Sequence, residues 1–545
     1  MQTVPFCEIL IGVAAIVLAL FGAAPAAHAQ EGELLYNGIR LPAQWPPADG
    51  PLSYEPMDTP WLESPPDVIP IDVGRQLFVD DFLVADTSLE RVHHAATYWP
   101  DNPVLAPDRP WENKSSSADH PAPTAMVFSD GVFYDPQDEL FKMWYMAGYC
   151  DATAYATSTD GIRWTKRALD VAEGTNLVET TRRDSGTVWL DLAESDPAKR
   201  FKMVLYTLES DRRLALSYSA DGIHWTPAPT SGKPLGDRST MFLNPFRNVW
   251  VYSLRAYERG GIGRYRRYWE HRDIEQGLTY APDQPPFWVG ADRLDPPRAD
   301  LGTPCELYNL DAAAYESLII GLFDIWRGQP DDRSKPNELC IGFSRDGFHW
   351  HRPMREAFIP VSETYGDWNW GNVQSAGGCC LVVGDRLYFY VSGRSGVQGS
   401  KASSVCATGL ATLRRDGFTS MDAGDAAGTL LTRPVQFSGK YLFVNLDAPD
   451  GELRVEVCDL DGNAIAPFTR AKCRPVQADS CREPVRWKSG ADLSALAGTP
   501  VRFRFHLRRG RLYAFWVSAD ASGASRGYVA AGGPGFTGPA DTAGQ

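Results

Sequence analysis

The sequence predicts an all-β protein, a five-bladed β-propeller followed by a C-terminal β-sandwich. Three observations carry that expectation. A seven-residue phrase occurs three times, as STDGIRW (Ser158 to Trp164), SADGIHW (Ser219 to Trp225) and SRDGFHW (Ser344 to Trp350). Two short strand-like runs precede each copy. After Leu430 the phrase stops, and apolar and polar residues alternate instead.

The repeating unit can be built from its parts. FKMWYMA (Phe141 to Ala147) leads into the first copy, FKMVLYT (Phe201 to Thr207) into the second and LIIGLFD (Leu318 to Asp324) into the third. A second run then arrives as AYATS, LALSYS or CIGFS. Asp-Gly follows at once, a strong turn signal because Gly accepts positive φ and Asp bonds to its own backbone. The Trp that ends each phrase offers a large apolar face to cover the turn.

Spacing sets the number of units. The first two copies lie about 60 residues apart and the next two about twice that, so one degraded unit is expected between them, ending in RRYWEHRD. A last unit comes after the third copy and ends in TGLATLRRDGF. The turn aspartates are then Asp160, Asp221, Asp273, Asp346 and Asp416, and five units of four short strands make a propeller. The repeated phrase falls on the outer hairpins, away from any central channel.

The flanks follow from composition. Residues 1–29 read as an export signal, with an apolar run from Ile9 to Ala24 before the small-residue site Ala27-His28-Ala29, which implies a secreted or periplasmic protein. Residues 30–70 read as an extended Pro-rich lead-in, 71–430 as the propeller, 431–519 as the sandwich and 520–545, rich in Gly and Ala, as a disordered tail. A formal charge of −15 excludes nucleic acid as the expected partner, and no membrane partner is expected once the signal is cleaved. The sequence leaves the oligomeric state open. Cleavage would leave nine cysteines, an odd number that disfavours a complete disulfide framework. No CxxC or HExxH element suggests a metal, and no cofactor is expected, although a structural calcium in the channel is compatible with its carboxylates.

In a propeller the innermost strands converge, so side chains at their starts meet although they come from different blades. Those starts are FSDGVFYDP with Asp130, TRRDSGTVWLD with Arg183 and Asp184, GDRSTMFLNP with Asp237 and Arg238, PCELYNLDA with Glu306, Tyr308 and Asn309, and WNWGNVQSAGG with Trp370 and Asn372; Arg394 ends the next strand. Carboxylates, arginines and aromatic rings around one funnel suit sugar chemistry. One carboxyl donates a proton to the departing oxygen while another acts as base or nucleophile, rings stack on the sugar face, and Arg and Asn bind hydroxyls. Strand caps and inter-blade ion pairs are the structural alternative for each of these residues.

Export signal, five Asp-Gly units and a C-terminal sandwich together resemble the five-bladed glycoside hydrolases. The domain order is most similar to family 32 (invertase- and levanase-like), with families 43 and 130 as relatives in architecture. Arg183-Asp184 matches that family's R-D-P element with Ser185 in place of Pro, while its W-M-N-D-P-N-G element is absent and FSDGVFYDP occupies that region. Glu306 follows Cys305 instead of preceding a Cys. The resemblance implies a secreted glycosidase acting on an oligosaccharide or polysaccharide, with Asp130 as nucleophile or base, Asp184 as transition-state stabiliser and Glu306 as acid. It implies substrate binding by Arg183, Asp237, Arg238, Tyr308, Asn309, Trp370, Asn372 and Arg394. A non-catalytic carbohydrate-binding propeller and a glycoside phosphorylase are the alternative readings.

Overall fold

The structure, a computed structural model, describes Met1 and residues 32–47, 52–115, 122–209 and 212–544. The expected export signal lies outside the described residues except for Met1. The chain is nearly all-β; its α-helix among the described residues is the single turn Pro60–Glu63.

Five antiparallel sheets follow one another along the chain. Sheet I comprises Ala125–Asp135, Leu140–Ala147, Ala152–Ser158 and Leu177–Glu179. Sheet II comprises Arg183–Leu190, Phe201–Thr207, Leu214–Ser219 and Thr226–Gly232, and sheet III Thr240–Asn244, Val249–Glu258, Gly263–His271 and Phe287–Gly290. Sheet IV holds Glu306–Glu316, Leu318–Trp326 and Asn337–Ser344; sheet V holds Asn372–Ser375, Leu381–Val383, Arg386–Arg394 and Cys406–Arg414. The first strands touch in cyclic order, I to II to III to IV to V and back to I. All eleven residues of Ala125–Asp135 are buried, because neighbouring sheets cover both of its faces. Sheet V takes its outer strand, Thr97–Tyr98, from before sheet I, so chain ends interlock by hydrogen bonds where the ring closes.

The repeated phrase forms a compact turn after the third strand of its sheet. In the first copy the Gly161 N–H donates to Ser158 Oγ (2.9 Å), and the N–H groups of Ile162 and Arg163 donate to Asp160 Oδ1 (both 2.8 Å). Gly222 carries φ +81° in the second copy, and a Cβ there would lie 2.5 Å from the Trp144 ring. Glycine therefore lets the turn seat on the previous sheet, where Trp144 Nε1 donates to the Gly222 carbonyl (2.7 Å). Tyr390 of sheet V holds Gly161 the same way (2.6 Å), and Trp288 of sheet III holds Phe348 (2.7 Å). Each of the three copies thus staples its sheet to a neighbour. Asp416 departs from the pattern. Its carboxylate accepts from Arg75 (2.9 Å), Tyr315 (2.6 Å) and Asn445 (3.0 Å), a buried junction with the C-terminal sheets.

Two further sheets share a second apolar core containing Phe78, Phe503, Phe505 and Phe515. One contains Tyr441–Asp447, Asp479–Pro484, Gly510–Ser518, Thr419–Ala423 and Glu90–His93; the other contains Glu452–Cys458, Arg502–Arg508, Gly428–Thr432 and Val84–Thr87. This corrects two expected boundaries. Residues 84–93 and 419–430, assigned by sequence to the propeller, pair with the C-terminal strands, because strands distant in sequence complete those sheets.

The tail is a third correction. Residues 520–544 are ordered: Tyr528–Val529 pairs with Tyr315 and Glu316 of sheet IV, and the Gly532 carbonyl accepts from Val382 of sheet V (2.9 Å). Its glycines permit close backbone approach. A Cβ on Gly533 would sit 1.8 Å from the Val382 carbonyl oxygen. Each of the nine cysteines among the described residues is buried and unpaired.

Candidate functional site

The polar side chains at the centre of the five sheets form the candidate site. Sheet I enters through a bulge. Its register slips between Met126 and Gly131, Ser129 takes φ +64°, and Gly131 at φ +128° comes so near sheet II that a Cβ would lie 2.7 Å from the Val188 carbonyl. The bulge turns Phe128 and Asp130 to the centre. Asp130 is sealed from solvent and holds the Arg183 guanidinium at 2.9 Å. Burial raises its pKa, opposed by Arg183 and Arg238. Arg183 also donates to the Asp184 carbonyl (3.1 Å), so this buried pair fixes the backbone that presents Asp184.

Asp184 is partly exposed. Its pKa is raised, by burial first and then by the neighbouring Asp237 carboxylate, against the pull of Arg238, Lys335 and Arg183. The buried Cys150 thiol lies 3.9 Å from its Oδ2, and burial and Asp184 together push that thiol up to about 12, keeping it uncharged. Asp237 is the more open carboxylate, with a side chain 44% exposed and paired to Arg255 at 2.8 Å.

Arg238 enters from the next sheet with only 1% of its surface exposed. Its guanidinium lies 3.6 Å from the Phe128 ring centroid, with that of Arg394 from sheet V at 5.7 Å from the same centroid. None of its side-chain nitrogens has a hydrogen-bond partner among the described residues, and the nearest carboxylate oxygen, on Asp324, is 4.0 Å away. Asp324 stands opposite Asn309 on sheet IV with the Asn337 side chain nearby, and neither of its oxygens makes a well-formed hydrogen bond. Burial pushes its pKa up to about 8, resisted by Arg238 and Lys335.

Smaller contacts complete the rim. Lys335 Nζ donates to the Tyr308 hydroxyl (2.7 Å), and the Lys335 carbonyl accepts from Asn372 (2.8 Å). Arg394 donates to the Tyr149 hydroxyl (3.3 Å) and to Ser403 (3.1 Å). Asn309 donates to Ser129 and to Asp311 (3.0 Å each), and Asp311 accepts also from Ser129 (2.7 Å) and Ser375 (2.6 Å). Asp311 thereby ties sheets I, IV and V at the centre. Among the described residues, no three His, Cys, Asp or Glu side chains cluster as metal ligands.

The structure therefore gathers Asp130, Arg183, Asp184, Asp237, Arg238, Tyr308, Asn309, Asn372 and Arg394 around one centre. Two expectations fail. Glu306, expected as the acid, is tied to Arg264 by a 2.5 Å ion pair and by that residue's backbone N–H (3.1 Å). The third strand of sheet III, Gly263–His271, supplies the arginine, which sequence position alone does not reveal. Trp370, expected as a sugar platform, is buried beneath Arg333, whose guanidinium lies 4.7 Å from its ring centroid. Asp324, Lys335, Phe128 and Tyr149 were missed. Asp324 had one signal, an acid inside the apolar run LIIGLFDIW; the others had none.

No family model and no curated protein matches the chain. Several similar solved structures are carbohydrate-active proteins. One is an N-acetylgalactosamine deacetylase from F. plautii in complex with blood group B trisaccharide, at 12% identity over 58% of this chain and 97% of that chain (TM-score 0.40). Another is a thermostable family-43 glycoside hydrolase, at 11% identity over 54% of this chain and 90% of that chain (TM-score 0.37). A third is an exo-beta-1,3-galactanase from Phanerochaete chrysosporium with beta-1,3-galactotriose, at 10% identity over 78% of this chain and 99% of that chain (TM-score 0.33). At such scores the likeness assigns no family, and the chemistry has to be read from the side chains themselves.

Proposed function

We propose that the chain is an exported glycoside hydrolase, a five-bladed β-propeller carrying its site in the central funnel beside a β-sandwich. The supporting observation is the Asp184–Asp237 pair on adjacent sheets. Burial and the Asp237 charge both favour the protonated form of Asp184, while Asp237 is open to solvent and salt-bridged. Two carboxyl groups whose surroundings differ in this way suit a division into acid and base. Asp184 donates its proton to the departing glycosidic oxygen, and Asp237 activates water or attacks the sugar carbon. Lys335 and Arg238 lie near enough to Asp184 to restrain its charge once the proton has gone. Tyr308 and Tyr149 offer rings and hydroxyls to the sugar.

Asp130 takes a positioning part here, because Arg183 covers it and it orders the Asp184 backbone. Glu306 is bound by Arg264 and is replaced as acid by Asp184. The test is reducing-sugar release by the mature protein from a panel of oligosaccharides and polysaccharides, with Asp184→Asn and Asp237→Asn as controls. Release that both variants abolish supports the assignment. Tight sugar binding without release by the wild-type protein points instead to a non-catalytic carbohydrate-binding propeller.

A further inference from the structure

The Arg238 guanidinium can donate five hydrogen bonds, through Nε, Nη1 and Nη2, and none finds a partner among the described residues. The side chain is nevertheless almost completely buried. A buried guanidinium with no hydrogen bond and one carboxylate oxygen at 4.0 Å is under-satisfied, so an arrangement that retains it points to a further group entering the site. Phe128 packs against the guanidinium. Stacking on a guanidinium face leaves its in-plane N–H edge free, the edge that fits two oxygens of one planar anion.

The surrounding charges favour an anion. Asp130 and Asp184 face Arg238 from sheets I and II, Asp324 and Lys335 from sheet IV, and Arg266 from its own sheet, while Arg394 of sheet V shares the Phe128 ring. Asp130 is already taken by Arg183. Asp324 stands 4.0 Å from Arg238 without a hydrogen bond to it, and burial raises its pKa to about 8, which weakens its hold on the guanidinium. Lys335 and Arg394 bond to tyrosine hydroxyls in the funnel, so no described carboxylate pairs with either there.

We infer that Arg238 forms an oxyanion subsite in the funnel, receiving the carboxylate of an acidic sugar. The inference rests on the glycosidase reading above and narrows its substrate to uronate-containing glycans.

The experiment is calorimetric binding to the full mature chain of galacturonate, glucuronate, galactose, glucose and inorganic phosphate, each at several salt concentrations. A uronate should bind in preference to its neutral counterpart. Arg238→Gln should weaken that binding about ten- to a hundredfold, the range of a charge-assisted hydrogen-bond pair, and should weaken the binding of neutral sugars far less. Arg238→Lys should recover only part, because it keeps the charge and loses the fork. If Arg238→Gln does not fold by circular dichroism, the wild-type pH profile decides. Uronate affinity should fall above about pH 8 as Asp324 ionises and competes for Arg238, and Asp324→Asn should abolish that fall. Phosphate binding that depends on Arg238, without uronate binding, would place the oxyanion on a free co-substrate and overturn the acidic-sugar assignment. Equal binding of neutral and acidic sugars would also overturn it and leave the glycosidase reading intact. Uronate binding with no release of sugar from any glycan would support the subsite and sink the glycosidase.

Discussion

The turn aspartates and the central aspartates are the same residue in opposite circumstances. Asp221 accepts from the N–H groups of Ile223 (2.8 Å) and His224 (2.9 Å), from Ser219 and from the His224 ring. Burial would raise its pKa, yet these donors lower it to about 2. Asp324 is sealed in the centre without a well-formed hydrogen bond, and burial, helped by the Asp311 charge, pushes it up to about 8 despite two nearby cations and the neighbouring Asn337 side chain. Hydrogen bonds to the charged form outweigh partial burial at the turns; desolvation outweighs distant charge at the centre. A repeated acid with a complete set of donors serves the fold, whereas an unrepeated acid lacking them is poised to change its protonation.

The comparison predicts a descending series of effects. Asp184→Asn, which removes the transferable proton while keeping the shape, should lower turnover by about two to four powers of ten with unchanged circular dichroism. A loss below tenfold on natural glycosides would return Asp184 to the structural class.

Next comes the pH dependence of stability. Asp324 has a raised folded pKa, so its contribution is complete below the ordinary carboxylate value near 4. That contribution declines as pH rises and is gone above about 8. Urea unfolding between pH 5 and 8 should show a loss of stability approaching about 1.4 kcal/mol per pH unit, which Asp324→Asn should remove. Equal slopes in the two proteins would mean that Asp324 is ionised throughout.

Asp221→Ala should cost about 1–2 kcal/mol at neutral pH, as the loss of a helix cap does, with little effect on turnover per folded molecule. Its pH signature is reversed. The depressed pKa means the contribution is present above about 4 and is lost as pH falls toward 2. A catalytic defect in this variant would erase the distinction between turn and centre.

The smallest effect belongs to His224. Its pKa is raised by hydrogen bonds to Asp221 and Asp170, but the side chain is 58% exposed. The contribution is present below its unperturbed value of about 6.5 and fades as pH rises through the elevated one. Solvent screening limits it to a few tenths of a kcal/mol, measurable by comparing melts of His224→Gln and wild type at pH 6 and pH 9.

Much of this architecture is legible in local pattern. Ser-x-Asp-Gly-x-x-Trp encodes a turn because the Ser and Asp hydrogen bonds that shape it lie within a few residues, and its spacing sets the number of units to expect. The starts of the first strands could also be listed, and nine of the eleven residues expected at the site do meet. Their roles were not legible. Glu306 looks like an acid until Arg264 is placed beside it, and Arg238 looks like one more hydroxyl-binding arginine until Phe128 and Asp324 enclose it.

The sequence by itself determined the strand-rich class, the Asp-Gly turns and the first-strand starts that carry many of the central polar residues, because each depends on short-range backbone preference and apolar periodicity. Tertiary structure alone decided which strands complete the C-terminal sheets, that the Gly-rich tail is ordered, and which carboxyl groups keep their protons. Those outcomes depend on burial and on charges contributed by segments hundreds of residues apart. Thr97–Tyr98 closes sheet V beside Ala411 and Thr412, and Arg75 meets Asp416, only after the whole chain has folded.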